Sequence, residues 1–202
     1  QRAIDNDPEN RMLHHFPTRR LDAESIRDAI LAVSGRLDRS LYGPTSDPYR
    51  NNEDKTKRLF LGPVDGNGRR SIYTKVTILE QCKFMSLFNQ PQPKIPSGRR
   101  DVTNTPAQSL ALLNHPFVVG QAEHWGLQRV HQEDSTIHSR LKDMLFLAYS
   151  RSIQPQELDR WTEVVGKLSE LHGESDRVLY NHDVWTDVAH AIFNTKEFIY
   201  IR

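Results

Sequence analysis

Cysteine is nearly absent from this sequence, since Cys82 is the only one among 202 residues. A single cysteine excludes an internal disulfide, a CxxC redox pair and a cysteine zinc cluster. It does not identify the compartment, because disulfide-free domains are also exported. Cys82 shares an apolar helical pattern with Leu79, Met85 and Phe88. We therefore expect a small core hydrophobe there rather than a reactive thiol.

Net charge and long apolar runs are also lacking. The 27 basic and 26 acidic side chains leave a formal charge of +1, which disfavours nucleic acid as a partner because no field attracts a polyanion. No apolar run approaches the roughly 20 residues that span a bilayer, so we expect no membrane insertion. The chain begins "QRAIDNDPENRM", without Met or a signal-peptide pattern, which is typical of a C-terminal fragment of a longer protein.

Motifs of catalysis and metal binding are missing as well. The chain has no HExxH, no GxSxG and no phosphate-binding glycine loop. His124, His131 and His138 are spaced by seven residues, but the intervening "QEDS" should break the helix that would align them. We therefore expect no metal, no cofactor and no catalytic residue in this fragment. The sequence leaves open whether this fragment belongs to an enzyme, and we do not expect the fragment to catalyse a reaction on its own.

Amphipathic helical patterns are what the sequence does contain. Apolar residues recur at helical spacing after an N-cap at Asp22. Gly35 predicts either that another backbone approaches this first helix closely or that the helix ends nearby. Trp161 and Trp185 occupy apolar positions of two later helices and should be buried anchors rather than platforms for sugars. The predicted helices cover residues 22–41, 79–88, 105–114, 117–131, 137–148 and 155–171, with a last one capped by Asp183.

The remaining segments predict one β-hairpin and two long loops. Residues 59–61 and 71–78 form the expected hairpin arms around the turn Asp65–Gly68. Residues 42–58 are polar, and 89–98 are rich in proline. The expected fold is mainly α: a multi-helix, bundle-like single domain over 1–202 with one small β-hairpin and long polar and Pro-rich loops. A subdivision into 1–98 and 99–202 is possible.

One stretch, "GRRDVTNTPAQSLALLNHPF", combines helix signals with an arginine pair. Thr105 and Gln108 have the spacing of a capping box, and Pro106 fits the first helical position. Arginines beside a helix start can hold a phosphate, sulfate or carboxylate. Alternatively, they tie the loop to Asp101 or to the C-terminal carbonyls of another helix. The candidate anion- or ligand-binding residues are Arg99, Arg100, Thr103, Asn104 and Thr105.

Several stretches resemble a known family across nearly the whole chain. They are "DPENRMLHHFPTRRLDAESIRDAILAVSGRLD", "RRSIYTKV", "GRRDVTNTPAQSLALLNHPFV" and "VWTDVAHAIFNTKEFIYIR". They resemble the C-terminal domain of unknown function of large planctomycete proteins, which often carry a cytochrome c-like haem domain upstream. The resemblance implies an exported, extracytoplasmic bacterial protein. It implies haem only on a separate upstream domain, because this chain has no CxxCH.

Three functions follow as hypotheses. The first is a non-catalytic helical module of an exported multidomain protein, serving domain assembly or ligand presentation. Its expected partners are upstream domains of the same polypeptide, and further candidates are carbohydrate or another envelope protein. The second is a domain or half-domain of an enzyme acting on a polysaccharide or sulfated substrate. The third is an anion- or carbohydrate-binding module centred on Arg99 and Arg100. An assembly module should expose an apolar docking surface.

Overall fold

Helices dominate the fold, as the sequence predicts. The computed structural model describes residues 7–14, 16, 18–49, 62–78, 81–96, 98–132, 136–173 and 175–201. Within these residues there are eight α-helices and one two-stranded sheet. The helices are α1 (Ala23–Val33), α2 (Lys83–Leu87), α3 (Pro106–Asn114), α4 (Pro116–Val130), α5 (Ile137–Tyr149), α6 (Pro155–Leu171), α7 (His182–Phe193) and α8 (Lys196–Ile199).

The small sheet joins the two ends of the described chain. Strand β1 (Arg19–Arg20) pairs antiparallel with β2 (Tyr200–Ile201), with Arg19 opposite Ile201. The Leu21 N–H extends the pairing by donating to the Ile199 carbonyl at 2.8 Å. The prediction of a small antiparallel pair is therefore confirmed, but its position is different.

The hairpin predicted at residues 59–78 is wrong where the structure describes it. Its first arm, 59–61, lies outside the described residues. Instead of a second arm, Ser71–Tyr73 forms a 3-10 turn, as does Gly66–Gly68. Side chains of α1 explain the difference, because Asp28 Oδ1 accepts from both the N–H and the hydroxyl of Ser71 at 2.7 Å. The segment bonds both to α1 and to the preceding loop, where Asp38 pairs with Arg69 and Ser46 with Thr74 in isolated parallel bridges rather than in a hairpin.

The centre of the core is the contact between α4 and α7. Trp125 on α4 stacks on Phe193 of α7 with ring centroids 5.4 Å apart. At Gly126 the helices approach so closely that an added Cβ would lie 2.6 Å from the backbone nitrogen of Thr186. Trp185 is fully buried, and its indole N–H donates to the Val178 carbonyl at 2.8 Å. The expectation that Trp185 is a core anchor is confirmed.

Helix ends follow the local sequence in most places. Helix α1 ends at Val33 and does not continue to residue 41 as its apolar spacing predicts. Of the two interpretations of Gly35, a nearby helix end is the one found, and its φ is +74°. Helix α4 ends before His131, so the three histidines spaced by seven do not share one helix. One predicted cap is wrong, because Asn181 rather than Asp183 caps α7. The Asn181 Oδ1 accepts from the Val184 N–H at 3.1 Å, and Asp183 lies inside the first turn.

Buried arginines connect the helices to the loops. Arg140 is 1% exposed and lies 4.7 Å from the Trp185 ring, and its two Nη groups donate to the carbonyls of Leu179 and Gln132. Arg20 donates in the same way to the Phe88 carbonyl at 3.0 Å. Burial lowers the pKa of both guanidinium groups. Backbone carbonyls accept hydrogen bonds from each guanidinium in place of the water molecules that burial removes.

Candidate functional site

The predicted binding segment is an exposed loop that leads into α3. Arg100 Nη1 lies 2.6 Å from Glu24 Oε2, which is in the first turn of α1. This hydrogen-bonded carboxylate raises the pKa of Arg100. Arg99 and Asn104 are exposed beside it. The loop is therefore tied through Arg100 to the start of α1, and anion binding by this segment stays a prediction.

The two threonines of the segment organise the loop. The N–H and hydroxyl of Thr103 both donate to Asn89 Oδ1, at 3.2 and 3.1 Å. The Thr105 N–H donates to Gln108 Oε1 at 3.2 Å, and the predicted capping box is present. Gln108 Nε2 also reaches the Leu87 carbonyl at 2.8 Å. The polar groups at Thr103 and Thr105 thus hold α3 against the end of α2.

A broad trough lies over the outer face of α1. It consists of two clefts, of about 640 and 560 Å³, which share Ala29 and Ala32 as their floor. We call this surface the α1 trough. One wall is formed by the end of α5 and the terminal sheet, and the other by the segment around Ile72, which is 73% exposed. The wall residues include Leu147, Tyr149, Ile201, Leu37, Arg39 and Arg70.

The sequence places small residues on the outer face of α1, but helical periodicity alone does not show that they line a trough. Ile26 and Ile30 face the core, whereas Ser25, Ala29 and Ala32 lie on the opposite side of α1. Small side chains at that spacing leave the helix backbone open to close approach. Only the tertiary structure shows that walls rise on both sides of them.

An ion-pair network closes one end of the trough. Arg151 donates to both Glu157 and Glu197, with its shortest contact 2.6 Å long, from Nε to Glu197 Oε1. The Arg151 hydrogen bonds lower the pKa of Glu157 to about 2. Burial raises the pKa of the adjacent Tyr149 to about 12. Two carboxylates share one guanidinium, so this end of the trough has an excess of negative charge.

The other end of the trough carries two arginines with spare donors. Arg70 Nε lies 4.0 Å from Asp28 Oδ2, which is at the limit of an ion pair. That carboxylate is already occupied by Ser71 through its other oxygen. The Arg39 side chain is exposed and makes no ion pair or hydrogen bond with the part of the chain that the structure describes. Arg39 is therefore the charge on this rim that is open to a partner, because Asp28 and Glu24, which line the same cleft, lie close to Arg70 and Arg100.

A second, much smaller cavity lies between α1, α2 and the start of α4. Its volume is about 20 Å³, and its lining includes Arg27, Tyr49, Thr74, Cys82, Phe84 and His115. Cys82 is 8% exposed, which confirms its predicted place in the core. His115 Nδ1 accepts from the Phe117 N–H at 3.1 Å, and burial lowers the pKa of this imidazole. Sequence patterning did not single out Thr74 or His115, because distant segments bring them together.

The described residues offer neither a metal-binding cluster nor a membrane-spanning helix. Over the described ranges 7–49 and 62–201, with their gaps, no group of three or more His, Cys, Asp or Glu side chains could hold a metal ion. Within the same part of the chain, no helix combines the length and apolar character needed to cross a membrane. Neither cleft of the trough is lined by Arg99 or Arg100.

Comparison with known proteins identifies the family but not the activity. A family model named PSD1, described as a protein of unknown function (DUF1553), matches residues 1–165. No curated protein and no solved structure matches the chain. The match covers well over half of the 202 residues and confirms the resemblance to a domain of unknown function. The chain belongs to the PSD1 family (DUF1553).

Proposed function

We propose that this chain is a non-catalytic assembly module of an exported multidomain bacterial protein. In this proposal an upstream domain of the same polypeptide docks in the α1 trough. The observation that carries the proposal is the trough itself, where two clefts of about 640 and 560 Å³ meet over Ala29 and Ala32. Apolar and charged side chains line the two clefts together, and such a mixed surface is common in protein interfaces.

The shape of the trough favours a protruding helix as the occupant. Its floor is made of alanines, and its walls carry the larger side chains of Leu147 and Ile72. A helix laid along such a floor can bring its bulky ridge close to the α1 backbone. A second copy of this chain would offer the same concave face, and two concave faces do not fill each other.

The charges of the rim favour an acidic residue at one end of that helix. Arg39 and Arg70 have spare donors at one end of the trough, whereas Arg151 is held by two carboxylates at the other. A carboxylate from the docking domain would therefore gain most beside Arg39 and Arg70. The occupant that we propose is an amphipathic helix with large apolar side chains over Ala29 and Ala32.

The enzyme hypothesis has less support from this surface. A general acid or base needs a carboxylate that is free to exchange a proton with a substrate. Glu24 is bound by Arg100, and Asp28 by Ser71. Glu157 and Glu197 share Arg151. Each carboxylate in this group thus already stabilises the fold.

Thiol labelling of the full-length polypeptide tests the proposal. Cys82→Ala removes the thiol of this chain, and a cysteine is then introduced by Ala32→Cys or by Ala107→Cys, whose labelling is followed on the corresponding peptide by mass spectrometry. Both alanines are exposed in this chain, but only Ala32 lies in the trough. We expect a maleimide to label position 107 as fast as in urea and position 32 at least about 10-fold more slowly, since docking covers it. Equal labelling at both positions would contradict docking at this surface.

A further inference from the structure

A short loop beside the α1 trough carries two large exposed side chains at its tip. The loop runs from Asp38 to Ser46, and we call it the Tyr42 loop. Leu41 is 61% exposed and Tyr42 is 81% exposed. Neither residue lines the trough or the small cavity beside α2. Because small-molecule sites are concave, this exposed tip favours a macromolecule as its partner.

The backbone at the tip of the loop is strained. Tyr42 has a φ of +65°, and Gly43 has a φ of +91°. Glycine, asparagine and aspartate adopt positive φ most readily, whereas a bulky residue at such a position costs free energy. The exposed ring of Tyr42 gains little from packing in return. Strain of this kind clusters at sites that contact a ligand or partner.

Arg69 holds the loop in this conformation. Its Nη2 donates to the Tyr42 carbonyl at 2.6 Å, and its guanidinium lies 4.2 Å from the centroid of the Tyr73 ring. The Tyr73 hydroxyl accepts from the Tyr42 N–H at 2.8 Å. At the start of the loop, the Asp38 N–H donates to the Gly68 carbonyl at 2.8 Å. A tip that is already ordered loses little conformational freedom when it binds, which favours affinity.

The position of the loop indicates which partner its tip contacts. Arg39 belongs to the loop and also lines the trough, as does Ile72, the residue before Tyr73. A domain seated in the trough therefore lies within reach of Leu41 and Tyr42. Tyrosine and arginine are among the residues that contribute most to the binding energy of protein interfaces. The tip and the trough thus fit one continuous interface.

We infer that Leu41 and Tyr42 form a preformed anchor that inserts into an apolar pocket of the upstream domain. The inference rests on the proposed function, because it takes the domain that docks in the trough as the partner. Arg39 places a positive charge next to the anchor, so the pocket should carry a carboxylate on its rim. Contacts of the Tyr42 ring in that pocket offset the strain of its backbone.

Hydroxyl-radical footprinting of the full-length polypeptide tests the anchor without any substitution. Peptide mass spectrometry measures the oxidation rate of the Tyr42 ring in the folded protein and in urea. Tyr180 is also exposed in this chain, at 72%, and serves as a reference for the reactivity of tyrosine under both conditions. We expect folding to slow the oxidation of Tyr42 at least about fivefold, since docking covers its ring.

Two results would overturn the anchor. One is oxidation of Tyr42 in the folded protein as fast as in urea. The other is protection that increases with protein concentration, which would assign the contact to a second copy of the chain. Slow labelling of Ala32→Cys together with fast oxidation of Tyr42 would leave docking in the trough intact and overturn the anchor alone. The reverse pattern would support the anchor and contradict docking in the trough.

Two substitutions test whether the Tyr42 ring stabilises docking. Both are made in the full-length protein that carries Cys82→Ala and Ala32→Cys. Tyr42→Asn removes the ring but suits a positive φ, and it should raise the maleimide labelling rate at position 32 at least about threefold. Tyr42→Phe keeps the ring and should keep the slow labelling. Equal labelling rates in the Asn and Phe variants would show that the ring does not anchor the docking domain.

Discussion

Replacing Gly126 by alanine should destabilise the fold, although the same change at another glycine of the same helix should stabilise it. At Gly126 the new Cβ would lie 2.6 Å from both the backbone nitrogen and the hydroxyl of Thr186. The backbone of α7 cannot rotate away, so α4 and α7 must separate. At Gly120, also on α4, an added Cβ meets nothing within 4 Å.

The expected magnitudes follow from two opposing effects. Alanine gains about 1 kcal/mol over glycine in a helix interior, and this gain applies at both positions. Overpacking a closely fitted contact costs about 1–3 kcal/mol. The new atom would clash with the Thr186 backbone as well as with its hydroxyl, so the cost belongs at the upper end of that range. Gly126→Ala should therefore lose about 1–2 kcal/mol of unfolding free energy, whereas Gly120→Ala should gain up to about 1.

Urea denaturation of the two variants measures these free energies with one protocol. The helix-propensity gain cancels in their difference, which leaves the cost of the α4–α7 contact alone. We expect Gly126→Ala to be less stable than Gly120→Ala by about 2–3 kcal/mol. Equal stability of the two variants would refute the close approach of α4 and α7 at Thr186.

Three further predictions address the buried arginine, the trough and the predicted binding loop. Arg140→Met should lower the unfolding free energy by about 2–4 kcal/mol in urea denaturation, because two buried carbonyls lose their donor; an unchanged midpoint would contradict this. Since burial raises the pKa of Tyr149 to about 12, its neutral form stabilises the fold fully below pH 10, and this contribution is lost as the pH rises from 10 to 12. Tyr149→Phe should therefore flatten the pH dependence of thermal unfolding in that window, and an unchanged slope would count against it. If Arg99 and Arg100 bind anions, sulfate should shift the amide resonances of Thr105 and its neighbours in the wild type but not after Arg99→Ala with Arg100→Ala; absence of shifts in the wild type would exclude the site.

Local helix signals account for what the sequence could predict. The capping box of Thr105 and Gln108 depends on residues three apart, and its geometry is present as expected. The predicted cap of α7 was wrong because Asn181 and Asp183 are both good N-cap residues. The choice between them depends on where the preceding 3-10 turn Ser175–Tyr180 ends. Propensity does not determine that position.

The features that sequence reasoning missed depend on contacts between distant segments. The predicted strand at 71–78 does not form, because Ser71 donates to Asp28 Oδ1 and accepts from Arg27, both more than 40 residues away. The α1 trough likewise needs α5 and the terminal sheet to rise beside Ala32. Alternation and helical spacing describe single elements, so neither can show which surface stays uncovered after packing.

A structure of the full-length polypeptide tests the central claim most directly. The account predicts that a helix from an upstream domain lies along Ala29 and Ala32, with an acidic side chain beside Arg39 or Arg70. A full-length structure in which these alanines face solvent, or in which the upstream domains contact a different face of this module, would contradict it.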